Sequence, residues 1–278
     1  MRSSFFYSNH LSLLVLACFL ALTAKPQLII NEVSQGTVGA QEYVEFIISG
    51  TPSCTSSCVD IRGWIFDDNN GWHYPGPVGI GQGIADGCLR FSLDTMWSCM
   101  PIGTIIVVYN EAEPNPALPP ADPTDANGDC VYILPGNSIF LDRNDTAPNT
   151  SGFIPYGGLP FTNAGVWIRT GMRNAGDSYQ IVDPNNTTAP YFSIGWGDNT
   201  LMQNIYFSGA ATGLVMYMAN AVDNNPFNQA NWVAAAASTN QTPGAPNNPA
   251  NAAWINSMNN NCQVAPPLVI DTVIPVNV

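Results

Sequence analysis

Short apolar runs recur along most of the chain, and clusters of turn-forming residues separate them. Within residues 42–49, alternation places Val44, Phe46 and Ile48 on one face of an extended strand, the face that we expect to point into a core. The repeated pattern predicts about ten short strands in an all-β sandwich or barrel. The predicted strands are residues 28–34, 42–49, 59–66, 88–92, 103–110, 130–134, 165–170, 177–183, 190–196 and 213–218.

One helix is predicted near the C-terminus, over residues 248–260. Asn248 is a good N-cap residue there, and Pro249 suits the first helical position because it has no backbone N–H to leave unpaired. We therefore expect residues 25–262 to form one β-domain that this short helix supports. Residues 263–278 are predicted to be an extended tail, which either forms an edge strand or links the domain to a further segment.

The N-terminal residues 1–24 are predicted to be a secretory signal peptide. Arg2 is followed by an apolar run from Leu11 to Ala24, the order of regions that such signals share. The run is shorter than the ~20 residues that span a bilayer, so we do not expect a transmembrane protein. The residues around Cys18 match a lipoprotein signal poorly. Lipidation of Cys18 is the alternative to cleavage after Ala24.

The charge balance narrows the classes of partner. Only 10% of the residues are charged, against about 25% in an average protein, while 46% are hydrophobic. Without the signal peptide, six basic and twenty acidic residues remain, a net charge of −14. Phosphate backbones bind proteins of the opposite sign, so we expect no nucleic-acid partner.

Six cysteines remain after cleavage, an even number in an exported chain, which predicts up to three disulfides. Zinc is the alternative, but only one pair is closely spaced, whereas zinc sites usually have two such pairs. The short spacing of Cys54 and Cys58 predicts that these two are bonded. The other four allow three pairings, of which we favour those that would hold the central segment and the C-terminal helix to the sandwich. The favoured bonds are Cys99–Cys130 and Cys88–Cys262.

Several separated motifs together resemble the bacterial lamin-tail domain. They are INE in the first strand, EYVE in the second, DIRGW in the third, GDSY near residue 177, and TPGAPN at residues 242–247. The residues that match the family pattern are Glu32, Glu45, Gly63, Trp64, Gly176, Asp177, Pro243, Gly244 and Asn247. The resemblance implies an immunoglobulin-like β-sandwich. The long form resembles exported surface proteins of gliding Gram-negative bacteria, which implies type IX secretion and a place at the cell surface or outer membrane.

Residues 111–164 are extra to that pattern, and we predict an insertion there, with apolar pieces at residues 130–134 and 138–141 forming a small hairpin. Two interpretations stay open. The insertion is either the surface that contacts a partner, because long loops are seldom kept without a role, or a structural extension of one sheet. Replacing Pro114 to Thr162 by a Gly/Ser linker distinguishes them, because only a structural segment is needed for folding.

Catalytic, metal-binding and sugar-binding candidates are few. His73 lacks a nucleophile motif, and Glu111 and Glu113 are close enough for a carboxylate pair but lie before a Pro-rich loop. Oxygen ligands that suit Ca²⁺ alternate in one loop, although the pattern departs from a calcium-binding loop further along. Those residues are Asp122, Asp125, Asn127 and Asp129. The aromatic residues that would stack on a sugar ring are Trp72, Tyr74 and Trp97, with core packing as the alternative.

These patterns predict a non-catalytic secreted or surface module, structural or adhesive, that binds a protein or glycan partner and takes part in a larger surface complex. The alternative is a carbohydrate- or calcium-binding accessory domain of a surface polysaccharide system. An exported hydrolase is the third possibility. We expect no cofactor other than Ca²⁺.

Overall fold

The computed structural model describes residues 27–51, 57–68, 87–145, 156–173, 176–197, 204–209 and 213–258. These residues form two six-stranded sheets and one two-stranded ribbon. The first sheet has the spatial order β14 (Trp232–Ala236), β13 (Leu214–Met218), β1 (Gln27–Ser34), β2 (Tyr43–Ser49), β7 (Ile105–Tyr109) and β8 (Val131–Pro135). The second has the order β12 (Ile205–Phe207), β11 (Phe192–Gly197), β10 (Gly176–Val182), β4 (Ile65–Asp67), β5 (Cys88–Phe91) and β9 (Leu141–Asn144). In the ribbon, β3 (Cys58–Val59) pairs with β6 (Met100–Pro101).

The two sheets pack face to face around one apolar core. Phe46 of the first sheet contacts Phe66 and Phe91 of the second, with ring centroids 5.1 and 5.7 Å apart. Val44, Phe46 and Ile48 are fully buried, as their alternation predicts. Their neighbours Tyr43, Glu45 and Ile47 are also fully buried, so β2 is covered on both faces. The prediction of an all-β sandwich is confirmed.

Helices are short. Helix α1 covers Ala237–Asn240 and α2 covers Pro249–Met258, with 3-10 helices at Thr95–Cys99 and Gln229–Asn231. The side chain of Asn248 accepts a hydrogen bond from the Asn251 N–H at 2.8 Å, so the predicted C-terminal helix and its cap are confirmed. In the part of the chain that the structure describes, no helix has the length and apolar character needed to cross a membrane.

The strand predictions fail in several places. Residues 165–170 form no strand, and the run predicted as one strand at residues 59–66 is divided by a turn at residues 62–63 between β3 and β4. The sequence did not predict β6, β12 or β14, because β6 and β12 have only two and three residues and β14 is rich in alanine, which is depleted in strands. The predicted hairpin is also wrong, because β8 pairs with β7 in the first sheet whereas β9 pairs with β5 in the second. Residues 131–144 thus pass from an edge of one sheet to an edge of the other and close that side of the sandwich.

The disulfide pairing differs from the prediction. Cys58 bonds to Cys99, 41 residues away. The reason is the ribbon: Cys58 pairs with Pro101 across the strands, which brings Cys99 beside it. Because each sulfur forms one such bond, the predicted Cys54–Cys58 and Cys99–Cys130 bonds are excluded.

The remaining cysteines complete that correction. Cys88 is a buried free thiol, which contradicts its predicted bond to Cys262. Cys130 is buried where β8 begins. Cys54 and Cys262 lie outside the described residues, as do the predicted signal peptide and the tail at 263–278. A link across 41 residues stabilises the fold by about 4 kcal/mol in the chain-entropy account.

Candidate functional site

Two glutamates of the sequence motifs lie opposite each other on β1 and β2 and are fully buried. Glu32 accepts hydrogen bonds from the backbone N–H of Thr242 at 3.1 Å and from the side-chain amide of Asn247. Glu45 accepts one from the backbone N–H of Gly244 at 2.7 Å. Residues distant in sequence thus meet in what we call the closing-loop cluster, formed by Glu32, Glu45 and residues 242–247.

The closing-loop cluster has a structural role. Burial raises the pKa of Glu32, although its hydrogen bonds favour the charged form. The pKa of Glu45 is raised well above its usual value by burial and then by the neighbouring Glu32 carboxylate. Backbone and amide donors occupy both oxygens of each carboxylate. The two glutamates therefore hold the loop against the first sheet, and they do not face a cleft.

A second group of acids includes Glu42, just before β2 begins, and lies where residues 170–173 cross from one sheet to the other. Thr170 donates its backbone N–H to Asn110 Oδ1 at 2.7 Å, and Met172 donates its N–H to Glu42 Oε1 at 3.1 Å. These bonds attach residues 170–173, which we call the crossing segment, to the first sheet. Burial raises the pKa of Glu42 to about 7, since it outweighs the hydrogen bonds and the positive charge of Arg169.

The crossing segment is attached to the second sheet as well. Arg173 donates its backbone N–H to Asp177 Oδ2 at 2.7 Å and accepts the indole N–H of Trp196 at 2.9 Å. A methyl group built on Gly171 would lie 3.3 Å from Asp68 Oδ2, so Asp68 packs directly against the segment. The crossing segment is therefore a bridge between the sheets, held largely by buried acids.

Asp68 and Asp177 are buried carboxyl groups whose side chains interact with each other. Asp177 already accepts two backbone N–H groups, from Arg173 at 2.7 Å and from Ser178 at 2.8 Å, and it is also hydrogen-bonded to the Asp68 side chain. Two ionised carboxylates bring no proton to such a bond, so one must be protonated. Burial and the negative charge of Asp177 raise the pKa of Asp68 well above its usual value. Burial raises the pKa of Asp177 as well, so the geometry decides the assignment: because Asp177 accepts two backbone N–H groups, we predict that the proton resides on Asp68.

This assignment predicts an asymmetry between two substitutions. In Asp68→Asn, the amide still donates a hydrogen bond to Asp177 at every pH. In Asp177→Asn, the new amide N–H faces a backbone N–H donor in place of an acceptor, which should lower the free energy of unfolding by about 2 kcal/mol. The folded-state pKa of Asp68 is raised, so its contribution to stability is present at low pH and falls as pH rises through that value. Asp68→Asn should therefore melt above the native protein at alkaline pH, while Asp177→Asn melts below it throughout.

Thermal unfolding of the three proteins between pH 5 and 9 tests the asymmetry. Glu42, with a pKa of about 7, lowers the stability of every variant across the same range, so variants are compared with the native protein at each pH. Parallel pH profiles for native protein and Asp68→Asn, or equal stability of the two variants, would contradict the proton assignment.

An open cleft lies beside the crossing segment, where residues 110–113 leave the first sheet and residues 168–169 return. It has a volume of about 240 Å³. Its lining residues are Ala40, Asn110, Glu111, Ala112, Glu113, Ile168 and Arg169. The two glutamates singled out by their spacing thus reach one cleft. Arg169 was not among the site residues predicted from the sequence. The signal that could have identified it is that basic residues are rare in this chain, which has only seven lysines and arginines.

The two cleft glutamates differ in role. Glu113 Oε2 accepts the backbone N–H of Ala40 at 3.0 Å, and a methyl group built on Gly39 would lie 2.5 Å from its carboxylate oxygens. Gly39 also has a positive φ of 57°, so glycine is required there on two grounds. Glu113 is therefore fixed to this turn, while Glu111 is exposed and available to a ligand.

The predicted calcium loop is closed by its own hydrogen bonds. Asp122 accepts the Ala126 N–H at 2.8 Å, Asp125 accepts that of Cys130 at 3.1 Å, and Asp129 accepts that of Val131 at 2.9 Å. Asn127 donates its side-chain amide to Asp129 at 3.0 Å. Among the described residues, no three acidic, histidine or cysteine side chains are grouped as a metal site would require. Calcium binding here stays a prediction.

The predicted sugar platform is wrong for Trp97. Its side chain is fully buried, its indole N–H donates to the Phe140 carbonyl at 2.9 Å, and its ring lies 5.0 Å from that of Phe91. Trp97 therefore fills the core, which was the alternative. Trp72 and Tyr74, the other two members, lie outside the described residues, as does His73.

Comparison with known proteins supplies little beyond this geometry. No protein-family model matches the chain, and no curated protein matches it significantly. Among solved structures, the chain is similar to a DUF4876 family protein from Bacteroides thetaiotaomicron VPI-5482, with 10% identity and a TM-score of 0.40. The similarity covers 71% of this chain and 63% of that one, so the chain spans less than two thirds of that protein.

Proposed function

We propose that the protein is an exported, non-catalytic module that binds a protein partner at the cell surface through the cleft of Glu111 and Arg169. Three sequence features support export: the N-terminal signal, the low content of charged residues and the even number of cysteines after cleavage. The Cys58–Cys99 disulfide is in keeping with an oxidising compartment. The resemblance to lamin-tail domains of exported surface proteins agrees with this proposal and stays a prediction.

The observation that carries the proposal is the charge of the cleft. Glu111, Glu113 and Arg169 give it a formal charge of −1, in a chain whose formal net charge is −13. Ala40, Ala112 and Ile168 add apolar wall. An open cleft with apolar walls and an exposed carboxylate suits the long side chain of a partner's lysine or arginine, whose stem is apolar and whose end is positive. We therefore expect a partner with a basic contact residue.

Surface retention tests the proposal. Labelled mature chain, residues 25–278, is added to washed bacteria from which the gene has been deleted, and bound label is measured. We expect retention to fall about tenfold for Glu111→Lys, since a reversed charge in a contact costs about 1.4 kcal/mol or more. Asp60→Lys is the matched control, because Asp60 is an exposed acid that forms a salt bridge with its neighbour Arg62. A short lysine-containing peptide should compete, and its glutamate counterpart should not.

Two results would contradict this function. One is equal retention of Glu111→Lys and the native chain. The other is turnover of a hydrolase substrate that is lost in both Glu111→Gln and Glu113→Gln, which would favour the exported hydrolase instead.

A further inference from the structure

A second pocket lies at the far end of β2 from the crossing segment and the charged cleft. It is formed where β2 ends, where the loop after β13 passes, and where α2 ends, and its volume is about 290 Å³. Its lining residues are Ser49, Gly50, Thr51, Asn224, Trp254, Ser257 and Met258. We call it the Trp254 pocket.

The chemistry of the Trp254 pocket differs from that of the charged cleft. None of the described residues that line it carries a charge, although the chain as a whole has a net charge of −13. Three hydroxyl groups, one amide and one indole line it together with the thioether of Met258. An ion would find no counter-charge there, and a purely apolar ligand would leave the hydroxyl and amide groups unpaired. The lining therefore suits an uncharged ligand with several hydroxyl groups.

Several of these groups keep hydrogen-bonding capacity for a ligand. Asn224 Oδ1 accepts an amide N–H from Asn220 at 2.9 Å, which leaves the Asn224 amide N–H groups to donate. Ser257 donates to the Trp254 carbonyl at 2.6 Å, which leaves its oxygen to accept. Within the described residues, the indole N–H of Trp254 makes no hydrogen bond and is not among the buried unpaired polar atoms, so it is accessible to a ligand. Donors and acceptors thus occur side by side, as a ring of hydroxyl groups requires.

The Trp254 side chain also defines how such a ligand would be held. It is only 5% exposed, so it offers no open face on which a sugar ring could stack. Its contribution would be the N–H at its edge and apolar contact at the pocket floor. Recognition would then depend on hydrogen bonds inside a small pocket, which is close to the lower size limit of ~300 Å³ for small-molecule sites. A pocket of this size holds one ring.

From this lining we infer that the Trp254 pocket binds a single uncharged monosaccharide residue, free or at the end of a glycan, with Asn224 and Trp254 as hydrogen-bond donors. This site goes beyond the proposed function, because it uses another surface and another class of ligand. It also uses other residues than the platform predicted from Trp72, Tyr74 and Trp97, of which only Trp97 lies within the described residues.

Ligand-observed NMR on the mature chain, residues 25–278, tests the site. The probes are glucose, galactose, mannose and N-acetylglucosamine, with glucuronate as the charged counterpart. We expect saturable binding of at least one neutral sugar with a millimolar dissociation constant, as befits the few contacts of one ring, and at least tenfold weaker binding of glucuronate.

Two variants place the binding in the pocket. Asn224→Ala removes an exposed side chain and should weaken binding at least tenfold without loss of folding. Trp254→Phe removes the N–H while keeping most of the ring. Asn137→Ala is the matched control. Asn137 is exposed, follows the end of β8 and lies toward the opposite end of the first sheet from Ser49, so this variant should bind like the native chain.

Several outcomes would overturn the inference. They are no saturable binding of any neutral sugar, equal binding of glucuronate, or native binding by a folded Asn224→Ala variant. The Glu111→Lys variant should bind the sugar normally. Failure of the Trp254 pocket and failure of the charged cleft are therefore distinguishable.

Discussion

Replacing Pro114 to Thr162 by a short Gly/Ser linker is expected to abolish cooperative folding. The segment supplies β8 and β9, one at the edge of each main sheet. Leu134 and Leu141 are fully buried and Ile133 is 2% exposed, and each contributes about 2–3 kcal/mol by its burial. Together these three contribute about 6–9 kcal/mol, as much as the whole stability of a typical domain, which is about 5–15 kcal/mol. The deletion also uncovers the core side chains of β7 and β5.

Circular dichroism and calorimetry of the deletion variant check this expectation. A milder variant is the control: shortening only residues 123–128, which lie in the loop outside both sheets, should leave the melting transition nearly unchanged. A deletion variant that melts like the native chain would contradict the structural role of the segment. It would favour the interpretation of residues 111–164 as a removable partner-binding insertion.

Glu32→Ala is expected to lower the free energy of unfolding by about 3–5 kcal/mol, because it removes the acceptor from several buried donors at once. The hydroxyl groups of Tyr43 and Thr242, the N–H of Thr242 and the amide of Asn247 all donate to this carboxylate. For a domain of this size the loss corresponds to roughly a 10 °C decrease in Tm. Glu32→Gln keeps one side-chain oxygen as an acceptor, so its stability should lie between that of the native protein and that of Glu32→Ala.

Chemical denaturation of the two Glu32 variants measures that loss. Glu111→Ala is the matched control, since it removes a glutamate that is exposed, and its stability should stay within about 0.5 kcal/mol of the native value. If Glu32→Ala were as stable as Glu111→Ala, the closing-loop cluster would not hold the 242–247 loop in the way that its hydrogen bonds indicate.

Local patterns were enough to predict the class of fold. The apolar runs at residues 28–34, 42–49 and 103–110 contain β1, β2 and β7, because a strand buried on both faces needs a continuous apolar run. The C-terminal helix was predictable from Asn248 and Pro249, since capping acts within one turn of the chain. Strands β12 and β14 were missed because β12 has only three residues and β14 is rich in alanine, which is depleted in strands, so only pairing with a neighbour makes them strands.

The sites required tertiary structure. Periodicity and capping are properties of neighbouring residues, and the sequence by itself determined the β class, the short helix and the acidic, low-charge surface. Only the fold decided that Cys58 meets Cys99, that Asp68 lies against Asp177, and that Glu32 binds a loop 210 residues away. The physical reason is that a disulfide, a pair of carboxyl groups and a buried hydrogen bond depend on distances in space, which strand order and register set.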